Sequence, residues 1–288
     1  MSTDDARTRT PAGRVWLVTG ASSGLGRAIA TAALAAGDTV VAAARRTDAL
    51  DTLVSDYPDR CVAVRLDVAD AQRIGEVVAE VVRSHSRIDV LVNSAGRALV
   101  GAAEETTERE LRDLMEVHFF GPAALTRAVL PHMRSQGSGA IVQISSMGGR
   151  LSFPGVSAYT ATKFALEGLS EGLAAEVSPL GIKVLIVEPG AFRTGLHRAD
   201  SMTQTDRISA YDDIVGPVRA AQAGFDGAQP GDPAKAATAI LTALDAESTP
   251  LRLPLGTDAA DMIRTHLDQS RAEFLAWEHI TRGTDVDG

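Results

Sequence analysis

The 288-residue sequence is short of cysteine, aromatic residues and long apolar runs. Cys61 is the only cysteine, so no intramolecular disulfide can form and no cysteine-based metal site is present, which fits a reducing compartment. No apolar stretch reaches the roughly 18 residues that a membrane span needs. The opening MSTDDARTRTPA is polar and lacks the apolar core of a signal peptide, so residues 1–12 are expected to be a disordered tail and the cytoplasm is the expected address. Positive charge is also short. A net charge of −9 argues against nucleic acid as a partner and against an anionic membrane surface. Aromatics make up only 4%, and Ala, Val, Leu and Gly dominate, as expected where helices pack closely on a sheet.

What the chain does have is alternation. Short β-branched runs recur at 14–19, 39–44, 62–66, 89–93, 140–145, 183–188 and 251–255. Most are apolar almost without interruption, the mark of strands covered on both faces. Helical patterns fall between them at 24–36, 47–56, 70–84, 107–135, 157–178 and 232–246, with another at 258–281. This order predicts an α/β fold: a doubly wound (Rossmann) parallel sheet of about seven strands with helices on both faces. No repeat, linker or charge block divides the chain, so residues 13–288 read as one domain. The stretch 191–231 is irregular, with scattered Phe192, Leu196, Met202, Ile208, Tyr211, Ile214 and Phe225. A connection that long is expected to serve function or to be disordered.

The first strand runs into TGASSGLG, Thr19 to Gly26. Gly20 suits a tight turn, and Gly24 and Gly26 let the backbone approach a pyrophosphate. The helix that begins there offers free N–H groups, and Ser22 and Ser23 add hydroxyl donors beside Leu25. A strand before it and a helix after it are the context that gives such a turn weight. Further on lies YTATK, with Tyr159 and Lys163 four residues apart. On a helix that spacing stacks both side chains on one face. An ammonium so close is expected to lower the phenol from its ordinary pKa of about 10 and make it a tuned proton donor.

The T-G-x-x-x-G-x-G spacing resembles that of the short-chain dehydrogenase/reductase family, and further motifs follow in the family's order over residues of about 14 to 255. LDV supplies Asp67 and Val68; NSAG supplies Asn93, Ala95 and Gly96; SS places Ser146 thirteen residues before Tyr159; PGAFRT supplies Pro189, Gly190 and Thr194. The resemblance implies that Asp67 contacts the adenine, that Asn93, Ala95 and Gly96 support the sheet and line the cofactor, and that Pro189, Gly190 and Thr194 hold the nicotinamide carboxamide. It implies Ser146, Tyr159 and Lys163 as catalytic residues, with Lys163 also on the nicotinamide ribose. Ser145 competes with Ser146, but its side chain should point to the other side of the strand. The family's NAD users carry an acidic residue after the second strand. Here that place is Ala44, followed by Arg45 and Arg46, which suit a 2′-phosphate and predict NADP(H).

One position departs from the family pattern. The helical asparagine that usually completes a proton relay is replaced by His118 in VHFFG. Three readings stay open: a satisfied core histidine, a substitute in the relay, or a broken relay. No metal is implied. The substrate is expected to be a carbonyl compound or secondary alcohol with an apolar body, lying against Met147, Gly148 and Phe153 under a movable lid formed by Phe192, Leu196, Met202 and Tyr211. The segment from Ser157 to Val177 is similar to the hydroxysteroid and retinol dehydrogenase branch. In relatives, helices like 107–135 and 157–178 pair across a dimer axis, so a homodimer or homotetramer is expected. Two other functions compete: a dinucleotide-binding redox sensor without catalysis, and a nucleotide-sugar epimerase or dehydratase. The latter usually has a longer C-terminal domain.

Overall fold

A computed structural model describes residues 13–197, 202–223 and 227–286. The expected tail at 1–12 and Phe225 lie outside the described residues. Seven parallel strands form the main sheet: β1 (Val15–Thr19), β2 (Thr39–Ala44), β3 (Cys61–Arg65), β4 (Val90–Asn93), β6 (Gly139–Ile144), β7 (Ile182–Pro189) and β9 (Arg252–Leu255). Their spatial order is β3-β2-β1-β4-β6-β7-β9. Two short strands, β5 (Ala98–Val100) and β8 (Met202–Gln204), pair in parallel apart from it. The doubly wound sheet is therefore as expected, and its direction of winding reverses between β1 and β4. That reversal opens a crevice at the strands' carboxyl ends.

Helices cover both faces. On one lie α1 (Gly24–Ala35), α2 (Asp51–Asp56) and α8 (Pro233–Asp245), where Ile29, Leu34, Leu53 and Ile240 close over Trp16, Val18 and Val92. On the other lie α3 (Ala71–His85), α5 (Gly121–Gln136) and α6 (Ser157–Val177), where Val77, Leu125, Met133 and Leu173 cover Leu17, Leu91 and Ile141. Local chemistry sets the helix ends. Asp70 accepts from the Arg73 N–H to cap α3, and Asp232 accepts from the Ala234 N–H to cap α8 just before Pro233. Thr107 and Glu110 form a reciprocal capping box at the start of α4 (Glu108–Met115).

Two expectations change here. The segment 107–135 is not one uniform helix, because a π-helical turn at Glu116–Phe120 separates α4 from α5 and carries His118. Such a turn admits one extra residue, and it re-aims the side chains on it. Nor are the described residues of 191–231 without structure. Phe192 is buried in the main core and bridges to Gly231. Met202 and Tyr211 pack against a small core of Val100, Ala102 and Val215, the last of these from α7 (Asp212–Ala223). Beneath it, the buried Glu105 carboxylate accepts from Ala102 N–H, Ile208 N–H and the Arg219 guanidinium. The backbone N–H groups of Ile208 and Ala102, helped by Arg219, hold its pKa down to about 2. The last helix, α9 (Thr257–Arg282), follows β9.

Candidate active site

At the end of β1, Gly20 adopts φ +65° and lies so close to the next loop that a Cβ would sit 2.8 Å from Ala95 N. Only glycine satisfies both demands. Gly26 is similarly tight: a Cβ there would lie 2.5 Å from the Gly20 carbonyl oxygen. Thr19 fastens the turn to the β4 exit. Its hydroxyl donates to Val92 O and accepts from the N–H groups of Ser94 and Ala95. Helix α1 begins at Gly24 with no side-chain hydrogen bond from Ser23 and no acidic residue in its first turn. Its first N–H groups thus face the crevice without a competing carboxylate, which is the donor set a diphosphate takes. Across the crevice stands Thr194, whose Cβ lies 3.1 Å from where a Gly24 Cβ would be. The loop after β7 therefore closes over the turn, and Pro189 and Gly190 lead into it. The carboxylate of Asp258 holds that loop by accepting from the Ala191 N–H.

The remaining expected cofactor positions rim the same edge. Arg45 and Arg46 are exposed just beyond the buried Ala44, while Ser22 and Leu25 are half-buried. Asp67 is exposed and accepts from the Ala69 N–H; Val68 is buried against Gly121. Asn93 is buried and donates 2.9 Å to Gln143 on β6, where the two residues stand in register. Gly96 faces His118, whose Nε2 would lie 3.2 Å from a Cβ there.

The second group converges one strand further on. Ser146 follows β6, and its Oγ accepts from the Gly148 N–H. A Cβ on Gly148 would lie 3.3 Å from Ser146 Oγ and 3.6 Å from Tyr159 Cε1, so serine and phenol flank the same glycine. Ser145 points the other way into the protein, where its Oγ has no hydrogen-bond partner. Tyr159 and Lys163 lie one turn apart on α6, with Nζ 5.7 Å from the ring centroid. Lys163 is buried and donates to Ile144 O at 2.9 Å.

The electrostatics correct one expectation. Lys163 does not lower the Tyr159 pKa here. Burial pushes the phenol up, and the Ser146 hydroxyl pulls only partly against it. Burial also brings the lysine down to about 8, opposed by the Glu167 carboxylate.

His118 lies beneath this pair, 1% exposed. Its Nε2 accepts from the Arg97 backbone N–H, and its Nδ1 lies 2.8 Å from Thr162 Oγ1. The Thr162 hydroxyl itself donates to Tyr159 O. With Nε2 accepting, the neutral ring carries its proton on Nδ1, and both nitrogens are satisfied by protein atoms. Burial, Lys163 and Arg97 all press its pKa well below 6.5. The ring stands edge-on to Tyr159, centroids 5.4 Å apart. Thr162 is a residue the motif reading passed over, although it lies inside YTATK. Among the described residues no cluster of His, Cys, Asp or Glu could hold a metal ion, and no helix is long and apolar enough to cross a membrane.

Comparison with known proteins points the same way. Residues 14–205 match the family model described as short chain dehydrogenase. Oxidoreductase BOA17 of Botryotinia fuckeliana is 39% identical over 270 residues, covering 93% of this chain and 98% of that protein. The crystal structure of a short-chain dehydrogenase from Streptomyces avermitilis superposes with a TM-score of 0.91 at 62% identity, covering 96% of this chain and all of the other. ElxO, solved with NADP bound, has a TM-score of 0.70 at 26% identity and covers 84% of this chain and 96% of its own. Matched in its fold and over most of its length, the chain belongs to the short-chain dehydrogenase family.

Proposed function

We propose that the protein is an NADP(H)-dependent oxidoreductase acting between a carbonyl group and a secondary alcohol on a substrate with an apolar body. The observation that carries this reading is the convergence of Ser146 and Tyr159 around Gly148, with Lys163 one turn away and the open α1 N-terminus across the crevice. The N–H groups at Gly24–Gly26 with Ser22 and Ser23 would hold the diphosphate, Asp67 and Val68 the adenine side, and Asn93, Ala95, Gly96, Pro189, Gly190 and Thr194 the nicotinamide side. Arg45 and Arg46 are exposed where a 2′-phosphate would lie, and a guanidinium can fork onto phosphate oxygens. ElxO with its bound NADP supports the cofactor choice.

When bound, the nicotinamide supplies or accepts the hydride. The residues of the chain manage the oxygen. Ser146 Oγ donates to the substrate oxygen, where charge develops as the carbonyl is reduced. Tyr159 Oη gives that oxygen its proton, or takes it back in oxidation. Lys163, its Nζ 5.7 Å from the Tyr159 ring centroid and donating to Ile144 O, would hold the ribose of the bound cofactor. His118, neutral and with both nitrogens engaged, acts as a positioning residue for Tyr159 through Thr162. Met147 and Phe153 would form an apolar wall for the substrate.

The test is NADPH consumption over a panel of ketones and aldehydes with apolar bodies, with Tyr159→Phe as control. Turnover is expected for the wild type and a loss of about 10²–10⁴-fold for the variant. Tight dinucleotide binding with no turnover on any carbonyl would replace this reading with a redox sensor.

A further inference from the structure

Helix α9 starts inside the fold and then leaves it. Ala259 and Ile263 are buried against Leu151, with Met147 and Phe153 packed around them. From Arg264 to Arg282 no residue is buried, so the helix runs on for about 27 Å in contact with little else. In proteins most helical stability comes from packing an apolar face against something else, which this stretch lacks within its own fold.

The uncovered part is not polar. Leu267, Phe274, Trp277 and Ile280 are 48%, 54%, 63% and 54% exposed. Ile263, Leu267, Ser270, Phe274, Trp277 and Thr281 follow a 4-3-4-3-4 spacing, a single stripe of the kind two helices share, apolar at all but the small Ser270 and Thr281 and flanked by Ile280. The face that the fold buries at Ile263 is thus the face left open beyond it. The four large side chains expose on the order of 450 Å², well within the range of an apolar patch that marks an interaction site. With the flanking Arg271, Glu273 and Glu278, each copy offers roughly 600 Å², about what a small specific interface takes from each side.

Charge selects the occupant. The helix carries Asp258, Asp261, Asp268, Glu273 and Glu278 against Arg264, Arg271 and Arg282, so an anionic lipid surface is a poor match. A second α9 laid antiparallel is a good one. Centred between Leu275 and Ala276, the pair sets Phe274 against the partner's Trp277 twice, and Arg271 beside the partner's Glu278 on both sides of the dyad. Glu278 is ready for it: both hydrogen bonds from its own Arg282 fall on Oε1, leaving Oε2 to the partner.

We propose that the open stripe of α9 is a self-association surface, on which two copies of this chain pair their α9 helices antiparallel through Phe274, Trp277 and the Arg271–Glu278 contacts. This contact is separate from the catalytic reading and from any pairing through α4, α5 and α6.

Sedimentation of the full chain over a range of concentrations tests it, read together with tryptophan emission. Trp16 is fully buried, so a concentration-dependent blue shift reports Trp277. Phe274→Ser with Trp277→Ser is expected to weaken association at least ~30-fold and halve the assembled mass. Arg271→Glu alone should weaken it about 10-fold, and adding Glu278→Arg should restore it to within about 3-fold. Both sites are solvent-exposed, and circular dichroism checks that the variants fold. An assembled mass unchanged by the double serine variant would overturn the proposal. So would a charge reversal that fails to rescue, or a wild type that stays at one mass while sedimenting with phosphatidylcholine vesicles.

Discussion

The Nδ1–H of His118 points at the Thr162 hydroxyl 2.8 Å away, and that hydroxyl donates in turn to the backbone carbonyl of Tyr159. The π turn that carries the imidazole is thereby tied to the first turn of α6, where the phenol is set. A leucine at 118 would strand the Arg97 N–H and remove the partner of Thr162, each a buried loss of about 1–3 kcal/mol. His118→Asn, which can still donate and accept, is expected to keep turnover within about 10-fold; His118→Leu should lose about 100-fold. Steady-state kinetics of the two variants checks this, and equal rates would remove His118 from the positioning of Tyr159. The same burial gives an acid signature. The unfolded imidazole takes a proton below about pH 6.5 and the folded one does not. The unfolded chain then binds the extra proton, so stability falls as pH drops from about 6.5 toward the lower folded pKa. Melting temperature against pH should show a shallower acid decline in His118→Asn.

Lys163 gives the opposite end of the scale. Its folded pKa of about 8 lies below the ordinary 10.5 because burial penalises the ammonium. Between those values the unfolded chain holds a proton the folded chain has released, so this group's contribution to stability grows as pH rises from about 8 to 10.5. Lys163→Met should flatten that rise and stabilise the cofactor-free protein at neutral pH by about 1–3 kcal/mol, after the lost hydrogen bond to Ile144 O is counted. Denaturant titration at several pH values measures it. Activity should vanish in the same variant.

Arg45→Asp replaces a cation with a carboxylate at the expected 2′-phosphate position. NADPH affinity should fall about 10–100-fold while NADH affinity changes by no more than about 3-fold. Paired fluorescence titrations with the two dinucleotides decide it; tighter NADH binding by the wild type would reverse the cofactor assignment.

Glu105→Gln leaves the Arg219 guanidinium buried without its counter-charge, a loss of about 3–5 kcal/mol for a buried pair. The damage should stay local. Hydrogen exchange is expected to quicken across β8 and α7 while α1 and α5 remain protected, and KM should rise more than kcat falls. Removing both charges with Glu105→Gln and Arg219→Met should recover part of the protection.

The sheet was legible because its strands are apolar on both faces; β2 lies at Thr39–Ala44, where the pattern put it. What the pattern missed has local causes. One extra residue in the turn at Glu116–Phe120 leaves hydrophobic spacing nearly untouched, so α4 and α5 read as one helix. β5 and β8 have three residues each, too few to show a period. Phe192 read as a lid residue because a lone aromatic in an irregular segment does not reveal that Gly231 leaves room for its ring. The four-residue spacing of Tyr159 and Lys163 announced their proximity. It carried no information on how far burial would move each pKa, since that depends on residues remote in sequence.

The contact between Gly24 and Thr194 joins points 170 residues apart. During synthesis, therefore, the glycine turn emerges early but stays open on one side until the loop after β7 has left the ribosome and folded back. A nascent chain halted before Thr194 holds the glycine turn and lacks the opposite wall. On the proposed function, dinucleotide capture would then require that both halves of the sheet have docked.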